Sequence, residues 1–252
     1  MMIYLLASLS IAHADIQQSE CLRPKNNPQA KVGIIYLHGL FPAGKPNDDN
    51  RWMVTLEQNN RKKLQELADK LGVTIAVPAS KTVSKMGTRR WPVEDSPENL
   101  LKELEATSRA VCGRLDEPRS ILGFSNGGYL ARELALRCLA RKPTYDLVMM
   151  SGAKARNGSK KGREKCARLV GVRGTKDTKD GMDGFEASAA AMMDSIGGTG
   201  QTLRPFPGGH ELPPLDLLAQ QLNSTVPPVA IKPSQITPTG GFLIPDESEA
   251  QK

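Results

Sequence analysis

Aromatic side chains make up only 4% of the 252 residues, and the basic residues are spread through the chain rather than gathered into a stripe. With few rings for bases to stack on, the net charge of +7 does not carry a nucleic-acid reading. It fits anionic surroundings in general, such as envelope polymers or acidic lipids. No run of apolar residues is long enough to cross a bilayer. The four cysteines, Cys21, Cys112, Cys138 and Cys166, form no Cys-x-x-Cys and have no paired histidines beside them, which excludes the usual zinc motifs. Histidine occurs three times, at His13, His38 and His210, so any chemistry needing an imidazole has few places to find one.

What is present is enough for one packed domain. A hydrophobic content of 39% over this length supports a single sizeable core. Residues 1–14 contain no Asp, Glu, Lys or Arg and include the run Met2-Ile3-Tyr4-Leu5-Leu6-Ala7, ending in the small-x-small pattern Ala12-His13-Ala14. They read as an export signal, although no cationic residue precedes the run; the alternative is a buried N-terminal strand or helix. Export places the protein in the periplasm or outside the cell, where an even cysteine count implies two disulfides. Cys112 ends a helix, and Cys138 falls about twelve residues into a later one, roughly 18 Å from its start at ~1.5 Å per residue. Both belong at the bottom of the sheet, and the expected pairing is Cys112 with Cys138 and Cys21 with Cys166; four cysteines allow three connectivities.

Strand and helix patterns alternate between residues 15 and 223. Val32-Gly33-Ile34-Ile35-Tyr36-Leu37 is a compact apolar strand, followed by a Pro/Gly/Asn/Asp-rich loop to about Asn50. A helix from about Val54 to Leu71 stops at Gly72, and Val73–Val77 is the next strand. Ser96-Pro97-Glu98 opens a helix to about Leu115, with Ser as cap, Pro in the first turn and Glu at the positive end of the dipole. Further strands are expected over Ser120–Phe124, Asp146–Met150 and Leu169–Arg173, with a weaker edge strand over Thr202–Phe206 because Pro205 interrupts the ladder. Helices are expected from Asn126 to about Arg141, from Phe185 to Ile196 and from Pro214 to Leu222. Strands separated by helices predict a mostly parallel sheet covered on both faces. Residues 224–252 carry five prolines, no helical period and an acidic end, and read as a tail without a Pro-x-x-Pro docking motif.

The richest stretch is Gly123-Phe124-Ser125-Asn126-Gly127, where a strand meets a helix through Gly-x-Ser-x-Gly. A serine on so sharp a turn projects its hydroxyl from the sheet, and its neighbours two positions away must be small. Ser125 is therefore the candidate nucleophile. Its proton needs a base, and that base needs a carboxylate to fix its tautomer. His13 lies in the presumed signal and His38 ends a strand beside glycine, where it shapes a turn. His210, in a glycine-rich loop between the last strand and last helix, remains as the base. Asp177 follows a strand at the carboxyl end of the sheet, where catalytic side chains gather, with Asp180 and Asp183 as rivals. The backbone N–H of Asn126, at a helix start, faces the position of a developing oxyanion.

With these residues the chain resembles the α/β-hydrolase superfamily over about Lys31 to Asn223. Leu37-His38-Gly39-Leu40 and Gly123-Phe124-Ser125-Asn126-Gly127-Gly128 are similar to compact bacterial carboxylesterases, acyl-protein thioesterases and secreted polyester or feruloyl esterases. The resemblance implies a three-layer α/β-hydrolase fold, a chain order of Ser125, Asp177 and His210, and a second oxyanion donor at the N–H of Leu40. It implies ester hydrolysis through an acyl-serine with no metal or organic cofactor, on a small-molecule or polymer ester. A peptidase or amidase using the same residues, and a non-catalytic envelope-binding protein on the same fold, are the competing readings. Fewer than twenty residues separate Met150 from Leu169, and the basic loop from Ser151 to Arg163 is too short for a sizeable lid. Short acyl or soluble esters are therefore favoured over long-chain triglycerides. Trp91 is a candidate for the floor of the substrate pocket, with ordinary packing as the alternative. Arg89 and Arg90 are candidates to receive a substrate carboxylate or phosphate, with solvation as theirs.

Overall fold

The computed structural model describes residues 18–94, 96–153, 165–177 and 202–222. The expected signal, the helix over Phe185–Ile196, most of the basic loop, Asp180, Asp183 and the tail lie outside these residues.

The sheet is built from strands that are apolar on both faces. β2 (Val32–Leu37), β4 (Thr74–Val77), β6 (Leu115–Phe124), β7 (Tyr145–Ser151), β8 (Arg168–Gly174) and β9 (Thr202–Phe206) are all parallel, in the order β4-β2-β6-β7-β8-β9. β1 (Glu20–Leu22) adds an antiparallel edge beside β4. Alternate residues of a strand point to opposite sides, so β2, β4, β6, β7 and β8 each feed two cores. Ile35, Leu37, Ile121, Val148 and Met150 pack on one side against helices α2 (Pro97–Cys112) and α3 (Asn126–Leu136). Ile34, Tyr36, Leu122, Phe124, Met149 and Val172 pack on the other against α1 (Arg51–Leu71) and α4 (Leu215–Leu222). A two-stranded ribbon of β3 (Phe41–Pro42) and β5 (Thr88–Arg89) sits outside the main sheet.

Local chemistry accounts for where the helices begin and end. α1 stops at Gly72, whose φ of 65° is open to glycine, with its N–H donating to the Ala68 carbonyl. The Ser96 hydroxyl accepts from the Asn99 N–H at the start of α2, with Pro97 in the first turn. Two helices are shorter than the sequence pattern predicts. α2 ends at Cys112 because Gly113, at φ 87°, turns the chain so that Leu115 already begins β6. α3 ends at Leu136 rather than near Arg141, because residues 140–142 leave the helix to pair with the approach to β8: Ala167 N–H donates to Ala140 O and Lys142 N–H to Lys165 O.

These departures decide the disulfides. The bonds are Cys21–Cys112 and Cys138–Cys166, not the expected Cys112–Cys138 and Cys21–Cys166. β1 has no apolar run to announce it, yet its pairing with β4 sets Cys21 against the α2 side of the sheet, with its Cα 5.2 Å from that of Cys112. Cys138 is just outside the shortened α3, at φ 54°, where the Arg141–Cys166 bridge brings the chain before β8 alongside it.

Candidate active site

Neighbours of β2 leave in opposite directions: β4 lies on one side, while β6, β7, β8 and β9 follow in turn on the other. At such a switch point the connections leaving adjacent strand ends diverge and open a crevice at the carboxyl edge of the sheet. The chain leaving β2 carries His38 and Leu40, and the chain leaving β6 carries Ser125 and Asn126.

Ser125 occupies that edge with φ 53° and ψ −117°, a backbone conformation costing a non-glycine residue about 1–3 kcal/mol. Hydrogen bonds hold the strain: Ser125 N–H donates to Ser151 O at 2.8 Å, and Gly127 N–H to His38 O at 3.0 Å. The flanking glycines are required by contact. A Cβ on Gly123 would stand 2.2 Å from the Gly127 carbonyl oxygen, and one on Gly127 would stand 2.1 Å from that of Leu37.

Two further loops converge on the serine. Thr175 N–H donates to Phe206 O and Lys176 N–H to Gly208 O, which ties the turn after β8 to the one after β9. Gly174 permits this approach, since a Cβ there would lie 2.3 Å from Gly209 O. The Arg173 guanidinium donates to the Asp177 backbone carbonyl, and Asp177 N–H donates to Gly174 O. The result is a continuous chain of contacts: His210 Nδ1 lies 3.0 Å from Asp177 Oδ2, and His210 Nε2 lies 3.0 Å from Ser125 Oγ. The Asp177 side chain is 1% exposed and that of His210 11%. Phe124 packs against the imidazole at a centroid distance of 5.1 Å. Ser125, Asp177 and His210, which lie in separate parts of the sequence, are thus brought together.

Leu40 and Asn126 lie on the wall of the same cavity as Ser125 and His210. Neither of their backbone N–H groups has a hydrogen-bond partner among the described residues. The Asn126 side chain also braces the loop that carries Trp91. Its Oδ1 accepts from Trp91 N–H at 2.6 Å, and its Nδ2 donates to Trp91 O at 3.4 Å.

Trp91 itself is behind the wall and not on it. It is 4% exposed, donates from Nε1 to His38 O at 3.1 Å and stacks on the His38 ring. The expectation that it floors the pocket is therefore corrected, because burying the indole satisfies its N–H on the backbone of the turn after β2. Arg89 and Arg90 are also occupied, donating to Ser80 O and pairing with Glu94 respectively. His38 has the structural role read from its glycine neighbour. Its Nδ1 donates to Gly39 O and its Nε2 accepts from Ser80 N–H, which requires a neutral ring, and burial lowers its pKa to about 3.

The cavity has a volume of about 370 Å³. Besides the residues above, it is lined by Trp52, Met53 and Leu56 of α1, and by Phe124 and Tyr129. The α1 residues were not singled out by the sequence pattern. Their signal is an apolar group at positions i, i+1 and i+4, in the first two turns of a helix whose core stripe is carried mainly by Leu64, Leu67 and Ala68 further along.

No protein-family model matches the chain, and no curated protein does. Solved structures do. A carboxylesterase from Bacillus cereus aligns at 14% identity with a TM-score of 0.51, over 82% of this chain and 94% of that one. Esterase PE8 aligns at 18% identity and 0.53, over 83% and 99%, and the protein YahD, solved with malic acid, at 15% and 0.50, over 80% and 95%. Together with the sheet order, these similarities identify the architecture as the α/β-hydrolase fold, with no sizeable lid among the described residues.

Proposed function

We propose that this protein is an exported serine hydrolase that cleaves carboxylic esters through an acyl-serine. The observation that carries the reading is the Ser125–His210–Asp177 alignment, with both links at 3.0 Å. Each group has a role that its neighbours support. His210 Nε2 accepts the Ser125 proton as Oγ attacks the ester carbonyl, forming a tetrahedral intermediate. The N–H groups of Leu40 and Asn126 stabilise the oxyanion; such donors are each worth ~10²–10³ in turnover. His210 then protonates the departing alcohol, and later deprotonates the water that releases the acid. Asp177 keeps Nδ1 protonated and steadies the imidazolium between these steps. No step calls on a metal or an organic cofactor.

Export is supported by the apolar stretch ending at Ala14 and by two disulfides, which persist in oxidising compartments. No helix among the described residues is long and apolar enough to cross a membrane. We assign residues 15–223 to the catalytic domain.

Labelling with a fluorophosphonate, combined with a panel of short esters, thioesters and anilides, tests the reading. Wild type is expected to label at Ser125 and to hydrolyse esters faster than anilides, and Ser125→Ala to do neither. Equal ester hydrolysis by both proteins would overturn it.

A further inference from the structure

The cavity beside Ser125 has one feature that the acyl-transfer chemistry does not use: a wall supplied by the first two turns of α1. Trp52 and Leu56 are four residues apart, so they share a helix face, and Met53 lies beside them. With Leu40, Phe124 and Tyr129 they make the wall largely apolar, and no Asp, Glu, Lys or Arg lines the cavity among the described residues. The two cations that the sequence offered for an anionic substrate, Arg89 and Arg90, are engaged by Ser80 O and Glu94. Tyr129 is itself braced, with the Arg132 guanidinium 5.0 Å from its ring centroid. Trp52 is at the rim and 46% exposed.

Size limits the occupant. At about 30 Å³ for a water-sized group, 370 Å³ holds roughly a dozen such groups. That suits an uncharged ester with one aromatic ring or a chain of about six carbons, and leaves most of a long lipid chain outside. A carboxylate or phosphate on the substrate would lose hydration here without gaining a cation from the described lining residues.

We propose, on the basis of the serine hydrolase reading, that Trp52 is a specificity-determining residue: its indole packs on the flat apolar arm of a small uncharged ester, so that aryl and medium-chain esters are preferred over acetates of small alcohols. The arm can belong to the acid or to the alcohol. The isomers methyl benzoate and phenyl acetate present the same ring on opposite sides of the ester bond and distinguish the two.

The test measures kcat/KM by pH-stat for methyl acetate, methyl hexanoate, methyl benzoate and phenyl acetate, on wild type, Trp52→Ala and Trp52→Phe. Removing apolar contact in a pocket of this kind changes discrimination about tenfold or more. The expected result is a fall of roughly tenfold in the ratio of the preferred aryl ester to methyl acetate for Trp52→Ala, and a fall of less than about threefold for Trp52→Phe, which keeps a ring. An unchanged ratio in Trp52→Ala overturns the proposal, as does a wild type that prefers methyl acetate. Fluorophosphonate labelling in the same samples separates the two levels of inference. Labelled proteins with unchanged ratios refute only the role of Trp52, whereas an unlabelled wild type refutes the serine hydrolase reading and the proposal with it.

Discussion

Gly127→Ala is the substitution whose consequence follows most directly from the geometry. An added Cβ would lie 2.1 Å from the Leu37 carbonyl oxygen, 2.4 Å from its carbon and 2.7 Å from the His38 oxygen. Carbon to carbonyl oxygen contacts normally begin near ~3.3 Å, so α3 and the end of β2 must separate by about 1 Å. Both partners are main chain, and no flexible side chain can yield. Overpacking of this kind costs about 1–3 kcal/mol, and the stretched Gly127 N–H to His38 O bond adds about 0.5–1.5 kcal/mol. The same movement carries the Asn126 N–H away from Leu40 and shifts Ser125 against His210. A misplacement of about 1 Å costs on the order of 10²-fold in rate. Urea unfolding followed by circular dichroism measures the first effect, and the rate of fluorophosphonate labelling measures the second. Gly44→Ala is the control, since a Cβ there meets nothing within 4 Å. A Gly127→Ala protein with the wild-type urea midpoint and a labelling rate within about threefold of wild type would refute the claim that this glycine sets the Ser125 turn against β2.

Acid and base effects on stability are expected to oppose one another. Burial lowers the His38 pKa from 6.5 to about 3, so the unfolded chain binds the extra proton; this contribution is full above pH 6.5 and is lost as pH falls toward 3. Burial raises the Glu57 pKa from 4.5 to about 7 despite the nearby Arg61, so its contribution is full below 4.5 and is lost as pH rises through 7. The two slopes cancel between pH 4.5 and 6.5. Relative to Glu57→Gln, wild type should lose roughly 1–1.5 kcal/mol per pH unit across 4.5 to 7 in urea titrations, and parallel profiles would contradict this. The disulfides should differ in worth by loop length. Replacing Cys21 and Cys112 by serine opens a separation of 91 residues and is expected to cost about 4–5 kcal/mol. Replacing Cys138 and Cys166 opens one of 28 and is expected to cost about 3–4 kcal/mol; the reverse order of urea midpoints would refute the entropic argument.

Features carried by neighbouring residues were legible in the sequence. The alternation of apolar strands with helices specified the parallel sheet, since each strand with two apolar faces requires cover on both sides. The glycines around Ser125 marked the sharp turn that carries it, and the scarcity of histidine left His210 as the candidate base. Such features are legible because a period, a cap or a tight turn is specified within a few positions. β1 was not, because Glu20-Cys21-Leu22 is too short to show a period, and its partner β4 is more than fifty residues away.

By itself, then, the sequence determined the kind of sheet, the turn that presents Ser125 and the order in which the three site residues occur. Tertiary structure alone decided what meets what: Asp177 against His210, Cys21 against Cys112, Trp91 sealed beneath the loop of His38, and Trp52 at the cavity in its place. Each of these is a meeting of side chains far apart along the chain, fixed by the register of strands and the points where α2 and α3 stop. A shift of a few residues in those endpoints rotates or displaces a side chain to another face, and composition and spacing carry no record of it.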